Sequence, residues 1–301
     1  MINIKNHDFI KKGIKSFTSY FDIKKTKKLL SEAKKSRNFN NIFLNKKDFK
    51  KNKKYVGVNP RPGRNLAEKL DTNFIFSNKR FQNEMKKVLG NQWRILGYKL
   101  VMGVPAKMIP DWIKKEIDNN PVANLGAYIK EKYRDLTYFR GIDFHQDIID
   151  FPDKNSDFIT VYIYLDTVTS NSSPLFVLKS SHLLGASVFP HKIKKIKKDL
   201  FRYSNDYEKN MTVKSYKLTG AAGSMFYWHS NLLHGTQPHI NDKPRISFRI
   251  LVEKNSTKKS NCLIDIVNKK IKGSLILSKT RHDLTQIGEN KLKNNIINRS
   301  I

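Results

Sequence analysis

"DFITVYIYLD", residues 157 to 166, changes the character of its side chains at every second position. In an extended chain, Ile159, Val161, Ile163 and Leu165 lie on one face, and Phe158 with the threonine and tyrosines lies on the other. β-Branched and aromatic residues are typical of strands. The stretch therefore predicts a β-strand.

Five further runs of the same composition lie before and after this strand, separated by Asn, Ser, Pro and Gly. They are "WRILGYKLVMG" (93–103), "PLFVLKS" (174–180), "VKSYKLT" (213–219), "GSMFYWH" (223–229) and "RISFRILVE" (245–253). A two-sheet barrel closes most strand edges of such a series and leaves an open mouth for a ligand. We predict a mainly β fold with flanking helices, built on a double-stranded β-helix (a jelly-roll or cupin-like barrel).

The first 90 residues read as helices and loops instead. "DIKKTKKLLSEAKKS" (22–36) has helical composition, and "NKRFQNEMKKVLG" (78–90) repeats apolar residues at helical spacing and stops at Gly90. We expect one structural domain: a helical segment over 1–90 that packs on the barrel, a catalytic core over 91–253, and a basic extension over 254–301.

The formal charge of the chain is +32, yet residues 141 to 180 hold six aspartates against two lysines. A charge of this size fits nucleic acid, an anionic lipid surface or a phosphorylated substrate, and also a Lys-rich composition without any partner. The single cysteine, Cys262, excludes an internal disulfide and a metal site of several thiolates, which favours a cytoplasmic protein. No apolar run approaches the length of a membrane span.

The acidic stretch contains "DFHQDIID" (143–150), in which His145 and Asp147 leave the same face of a strand. One imidazole and one carboxylate leave a metal short of ligands. A second histidine would complete the two-His, one-carboxylate triad that holds non-haem Fe(II). Downstream, "HSNLLHGTQPHINDKPRIS" (229–247) offers His229, His234 and His239, and each of them has an ordinary core or surface explanation as well.

The order of these motifs is specific. His-x-Asp is followed after a long gap by "LLHGTQPHINDKPRIS", with Arg245 eleven residues after His234 and Ser247 two beyond it. Over Gly141 to Glu253 the chain resembles the Fe(II)/2-oxoglutarate-dependent dioxygenases, and within them the phytanoyl-CoA dioxygenase-like branch. The resemblance implies that His145, Asp147 and His234 bind Fe(II).

The resemblance also implies that Arg245 pairs with the far carboxylate of 2-oxoglutarate, with Ser247 on the same strand face and Thr236 within reach. His229 is then read as packing beside Trp228, and His239 as a loop residue. His182, in "KSSH", has no ligand role that we can argue. Related enzymes add one more polar contact to the cosubstrate, for which the sequence leaves four candidates: Tyr133, Arg140, Thr160 and Tyr162.

The reaction implied is hydroxylation by O2 of a small-molecule, lipid or sugar-type substrate, with 2-oxoglutarate converted to succinate and CO2. A carboxylate at position 147, where a small residue would vacate a site for a halide, favours hydroxylation over halogenation. Three alternatives stay open: a basic nucleic-acid-binding protein, a nucleic-acid-modifying oxygenase, and a barrel without activity that serves as a scaffold. Dispersed lysines without interleaved aromatic residues disfavour nucleic acid as a partner.

A basic loop over residues 191–211 interrupts the strands. In "HKIKKIKKDLFRY" (191–203), Ile193, Ile196 and Leu200 have the spacing of one helical face. We expect a helix there, either with a solvated basic face or covering the mouth of the barrel. In the second case its lysines would receive an anionic part of the substrate, such as a phosphate or a coenzyme A moiety, or contact an anionic lipid surface.

Overall fold

A computed structural model describes residues 7–35, 37–51, 59–117, 122–236, 243–257 and 260–277. Strands account for most of the regular structure from residue 93 to residue 254. They are β1 (Ile14–Phe17), β2 (Trp93–Gly103), β3 (Val122–Asn124), β4 (Thr137–His145), β5 (Phe158–Tyr164), β6 (Leu175–Leu178), β7 (Lys192–Lys197), β8 (Leu200–Ser204), β9 (Asn210–Leu218), β10 (Met225–His229), β11 (His234–Thr236) and β12 (Arg245–Lys254).

The strands follow the order β1-β10-β5-β12-β2-β4-β11-β6-β9-β8-β7, and β3 pairs with β4. Strand β5 lies between β10 and β12, and both pairings are antiparallel. Strands β2 and β4 form a parallel pair, so the predicted all-antiparallel series has one exception among the described pairs. Strands β4 and β11 are neighbours in this order although they are far apart in sequence, which brings the two predicted site motifs to adjacent strands.

Short helices flank the strands: α1 (Asp8–Lys12), α2 (Ile23–Lys35), α3 (Lys46–Lys51), α4 (Asn73–Phe76), α5 (Lys79–Leu89), α6 (Asp111–Ile117) and α7 (Leu263–Asn268). The side chain of Asn78 caps α5 by accepting from the backbone N–H of Phe81 at 3.1 Å. The helix ends at Gly90, whose φ of 87° suits glycine. Its predicted bounds are confirmed. None of the helices in the described residues has the length and apolarity that a membrane crossing requires.

The strand predicted from alternation is confirmed as β5, and it is buried on both faces. Ile159, Val161 and Ile163 pack in the largest core cluster, together with apolar residues of α2, α5 and α7. Tyr162 and Tyr164 belong to a second cluster on the other face. The largest cluster thus joins residues of the amino-terminal segment, the strands and the carboxy-terminal extension. The divisions at residues 90 and 253 stay predictions.

The basic stretch 191–203 is a hairpin and not a helix. Strands β7 and β8 pair antiparallel at the far end of the sheet, and β8 pairs with β9. Phe201 and Tyr203, two residues apart on β8, are fully buried, whereas Ile196 is half exposed. The helical spacing of the isoleucines therefore does not produce a helix. The alternation of Phe201 and Tyr203 determines which face is buried. The predicted helix is wrong.

A buried ion pair joins the amino-terminal segment to the strands. Arg37, just beyond α2, donates to both carboxylate oxygens of Asp135 at 2.6 and 2.8 Å, and its side chain is only 2% exposed. Asp135 lies just before β4. Arg64 and Glu131 form a second pair nearby whose side chains are 58% and 70% exposed.

We predict that Arg37→Ala lowers the free energy of unfolding by about 3–5 kcal/mol, because Asp135 would keep most of its burial without its partner. Denaturant unfolding measures the change. Arg64→Ala is the matched control and is expected to change stability little, since solvent screens that pair. Equal effects of the two substitutions would show that the buried pair does not hold the segment in place.

Candidate active site

Two histidines from separate motifs meet through strand register. His145 ends β4, His234 begins β11, and the two residues are direct partners across that antiparallel pair. Their ring centroids lie 4.2 Å apart. Asp147 follows β4 at the start of a 3₁₀ turn (Asp147–Asp150). One ligand atom from each of these three residues lies within 4.8 Å of the other two. The structure thus brings together the predicted metal ligands.

The backbone fixes the orientation of both rings. Nδ1 of His145 lies 3.0 Å from the carbonyl oxygen of Asp143, and Nδ1 of His234 lies 2.9 Å from that of Leu232. A carbonyl oxygen only accepts, so each Nδ1 donates and each Nε2 keeps its lone pair. Burial lowers the pKa of both histidines. Both rings are therefore neutral near pH 7, which is the form that binds a metal.

The carboxylate of Asp147 is held by three donors. Thr160 donates its hydroxyl to Oδ2 at 2.6 Å, and Trp228 donates its indole N–H to the same oxygen at 3.0 Å. Arg249 donates from Nη2 to Oδ1 at 2.5 Å. Burial alone would raise the pKa of Asp147, but the charge of Arg249 together with the two histidines and the hydrogen bond from Thr160 outweighs it, and the pKa lies well below its usual range. Asp147 is therefore ionised and fixed in direction.

These residues line a cavity of about 360 Å³. The volume is at the small end of the range for ligand pockets, roughly 300–1,000 Å³. Arg245 and Thr236 line the same cavity, as predicted for cosubstrate residues. The hydroxyl of Thr236 accepts from the backbone N–H of Ile142 at 3.1 Å. Ser247 is fully buried, is not among the lining residues, and accepts from Nη1 of Arg245 at 3.5 Å.

Arg245 is a buried cation without an acidic partner in the described ranges. Its residue is only 6% exposed. Its Nε finds no hydrogen-bond acceptor among those residues. Leaving such a group unmatched is unfavourable unless a ligand supplies the acceptor. An anion at this end of the cavity would satisfy it.

The four further candidates for a cosubstrate contact differ in whether they line the cavity. Arg140 and Tyr162 line the cavity. Thr160 donates to Asp147, so its hydroxyl is used by the candidate metal ligand. Tyr133 packs against the largest core cluster and is not among the lining residues.

The other histidines have structural surroundings. His229 is buried, donates from Nε2 to Asn268 at 2.9 Å, and accepts at Nδ1 from the N–H of Asn231 at 3.1 Å. His182 is buried, with its ring 5.6 Å from that of His229. Neither lines the cavity. His239 lies outside the described residues.

Sequence reasoning missed Arg249, Trp228 and Lys99 as residues of the site. Arg249 could have been found, because it continues the two-residue period of Arg245 and Ser247 along β12. Lys99 is opposite Arg249 on β2 and follows from the same face once the pairing is known. The contact of Trp228 with Asp147 depends on strand order, which no local pattern contains. The lining residues include none from the basic hairpin, so the hairpin does not cover this cavity.

The burial of His229 allows a prediction about stability at acid pH. Burial lowers the pKa of His229 to about 4, from an ordinary value of 6.5. In that window the unfolded chain binds a proton that the folded one does not, so the free energy of unfolding falls as the pH falls. His229 alone contributes about 3 kcal/mol of loss by pH 4. Unfolding titrations between pH 7.5 and 4 should show a shallower slope for His229→Gln, and an unchanged slope would contradict the assignment.

Three comparisons relate this geometry to known proteins. A family model described as phytanoyl-CoA dioxygenase (PhyH) matches residues 134–247. No curated protein matches the chain. Among solved structures, the chain is similar to the non-heme alpha-ketoglutarate-dependent epimerase SnoN from nogalamycin biosynthesis. That match has 12% identity and a TM-score of 0.51, and covers 82% of this chain and 80% of that one.

A second similar structure is EctD from S. alaskensis with bound Fe, at 11% identity and a TM-score of 0.50, covering 93% of this chain and 88% of that one. At these identities the likeness shows the fold alone, and it confirms the predicted double-stranded β-helix. The candidate ligands and Arg245 all lie inside the segment that the family model matches. Residues 134–247 match the model of the phytanoyl-CoA dioxygenase family, the candidate His-x-Asp and distal His lie inside that match, and the protein is an Fe(II)/2-oxoglutarate-dependent oxygenase.

Proposed function

We propose that the protein hydroxylates a small-molecule, lipid or sugar-type substrate, using O2 and 2-oxoglutarate and releasing succinate and CO2. One observation carries the proposal. A neutral pair of histidines and an ionised aspartate converge on the wall of a cavity that also holds a buried arginine without an acidic partner among the described residues. A metal ion fits the first group and a dicarboxylate fits the second.

The donor set fits Fe(II). His145, Asp147 and His234 offer two imidazole nitrogens and one carboxylate, the combination that non-haem Fe(II) oxygenases use. When bound, the iron with 2-oxoglutarate and O2 supplies the oxidising chemistry. The protein's part is to hold the ligands: backbone carbonyl groups orient the rings, and Arg249 with Thr160 and Trp228 orients the carboxylate.

The cosubstrate fits Arg245. A guanidinium makes a forked, charge-assisted pair with a carboxylate, and Nε of Arg245 needs an acceptor. Thr236 adds a hydroxyl to the same cavity, and Ser247 supports the guanidinium from behind. Gly103 is directly opposite Arg245 on β2, so no side chain occupies that place. These residues would bind the far carboxylate of 2-oxoglutarate and leave its keto acid end toward the metal ligands.

The surrounding wall supports oxygen transfer to carbon. Apolar and aromatic side chains, among them Val101, Leu175 and Trp228, form part of the cavity wall, which suits the carbon skeleton of a substrate. The carboxylate of Asp147 occupies the position that a halide would need, which supports hydroxylation over halogenation. We also propose a cytoplasmic location, which the single cysteine, Cys262, supports.

We predict that His145→Ala, Asp147→Ala and His234→Ala each abolish most Fe(II) binding, because each removes one of three protein ligands. Anaerobic metal titration measures this. His229→Ala is the matched control, a buried histidine away from the cavity, and it is expected to keep the Fe(II) affinity. The ligand assignment would be wrong if His229 proved essential and His234 dispensable.

We predict that Arg245→Ala weakens 2-oxoglutarate binding by roughly 2–4 kcal/mol, about 30- to 1,000-fold, because a buried carboxylate loses its charged partner. Fe(II) binding should persist, since Arg245 contacts none of the three ligands among the described contacts. Calorimetric titration of the Mn(II)-loaded protein separates the two. Arg94→Ala, which removes an exposed arginine at the far end of β2, is the control. Equal loss of metal and cosubstrate would make Arg245 a structural residue.

A further inference from the structure

A second pair of cations lines the cavity, away from Arg245. Strands β2 and β12 pair so that Arg245 is opposite Gly103 and Arg249 is opposite Lys99. Directly paired residues of an antiparallel sheet lie on the same face, and both Lys99 and Arg249 line the cavity. At about 3.3 Å per residue, the two arginines are roughly 13 Å apart along β12. The cavity therefore has one cationic position for 2-oxoglutarate and another for a different group.

The hydrogen bonds of Lys99 and Arg249 use only some of their N–H donors. Nη2 of Arg249 bonds to Asp147, and Nζ of Lys99 donates to the side-chain oxygen of Asn59. A guanidinium has five N–H donors and an ammonium three. Neither side chain has another hydrogen bond or ion pair within the part of the chain that the structure describes. Their remaining donors are therefore available to a ligand in the cavity.

The neighbouring acids do not fully offset what burial and Arg249 do to Lys99. Burial and the charge of Arg249 lower the pKa of Lys99 to about 7, although Asp150 and Asp147 act in the opposite direction. An anion bound beside Lys99 would restore its ordinary protonation. The site is thus more favourable with an anion present than without one.

The charge of the whole cavity leads to the same conclusion. Its charged wall residues are four cations and two acids: Lys99, Arg140, Arg245 and Arg249 against Asp147 and Asp150. Fe(II) and the dianion of 2-oxoglutarate cancel one another. The lining of the loaded cavity therefore stays net positive. A cleft lined by one sign of charge attracts ligands of the opposite sign, which favours an anionic substrate over a neutral one.

We propose that the substrate of this oxygenase is an anion whose carboxylate or phosphate binds between Lys99 and Arg249, beside the metal ligand Asp147. The proposal rests on the proposed function, because the second anion site is defined relative to the metal and 2-oxoglutarate. It also moves the recognition of an anionic substrate from the basic hairpin, which lies outside the cavity, to two residues of its wall. Lys99 and Arg249 then decide which end of the substrate faces the metal.

The test uses the protein loaded with Mn(II) and saturating 2-oxoglutarate, with three probes of one chain length: hexanoate, hexyl phosphate and hexanamide. Relaxation of the probe protons by Mn(II) reports binding in this cavity. At least one of the two anions should bind about tenfold or more tightly than the amide, the size of one charge-assisted hydrogen bond. Which anion binds better identifies the head group as carboxylate or phosphate.

Lys99→Gln should reduce that preference to less than twofold, and Lys99→Arg should keep it. Lys214→Gln, which removes an exposed lysine on β9 outside the cavity, is the matched control. Titration of Mn(II) and 2-oxoglutarate into each variant comes first. Failure of the wild type at that step would contradict the proposed function, whereas retained loading shows that a Lys99 variant is folded.

Three outcomes would overturn the proposal in a protein that loads normally. They are equal binding of the amide and both anions, absence of binding for all three probes, and an anion preference that Lys99→Gln leaves intact. The last result would make Lys99 a wall residue and Arg249 only a support for Asp147.

Discussion

The carboxylate of Asp147 receives hydrogen bonds from three adjacent strands, and the geometry of the site depends on them. Thr160 on β5, Trp228 on β10 and Arg249 on β12 all donate to it, and these strands are consecutive in the sheet. An ionised carboxylate inside a protein needs such partners, because burial penalises its charge. The same contacts hold one candidate ligand in place while strand register holds the two histidines. The metal position is therefore built into the pairing of the barrel.

Much of the fold could be predicted from local pattern. The alternation in β5 and the helix that ends at Gly90 depend on residues close in sequence, and both are confirmed. The hairpin of β7 and β8 could not be predicted in this way. Ile193, Ile196 and Leu200 fit a helical face, but pairing with β9 buries Phe201 and Tyr203 at a period of two. A tertiary contact decided the structure there, and a local window does not contain it.

The sequence predicted the candidate metal ligands but not the residues that hold them in place. Spacing alone pointed to His145 and Asp147, and the family resemblance added His234 as the distal ligand and Arg245 as the cosubstrate residue. Thr160 was one of four candidates for a cosubstrate contact, and the sequence does not show that it bonds to Asp147. Arg249 and Lys99 are readable as members of the inward face of their strands, but only the register shows that they meet. Residues that orient a metal ligand through long-range contacts are the part of a site that is hardest to predict from sequence patterns.

The chain's charge of +32 does not by itself identify a partner. The lysines of β7 lie at the end of the sheet, outside the cavity, where charged side chains also discourage pairing with another edge strand. Only a few cations line the candidate active site, and they belong to the cavity wall. Composition is therefore a weaker guide to the substrate than the position of Lys99 and Arg249.

Anaerobic absorption spectroscopy tests the central claim most directly, since 2-oxoglutarate bound to Fe(II) through its keto acid gives a visible metal-to-ligand charge-transfer band. The account predicts that the band appears when Fe(II) and 2-oxoglutarate are both added to the wild-type protein. Either addition alone should give none. Absence of the band with both present at saturating concentrations would contradict an Fe(II)/2-oxoglutarate site formed by His145, Asp147, His234 and Arg245.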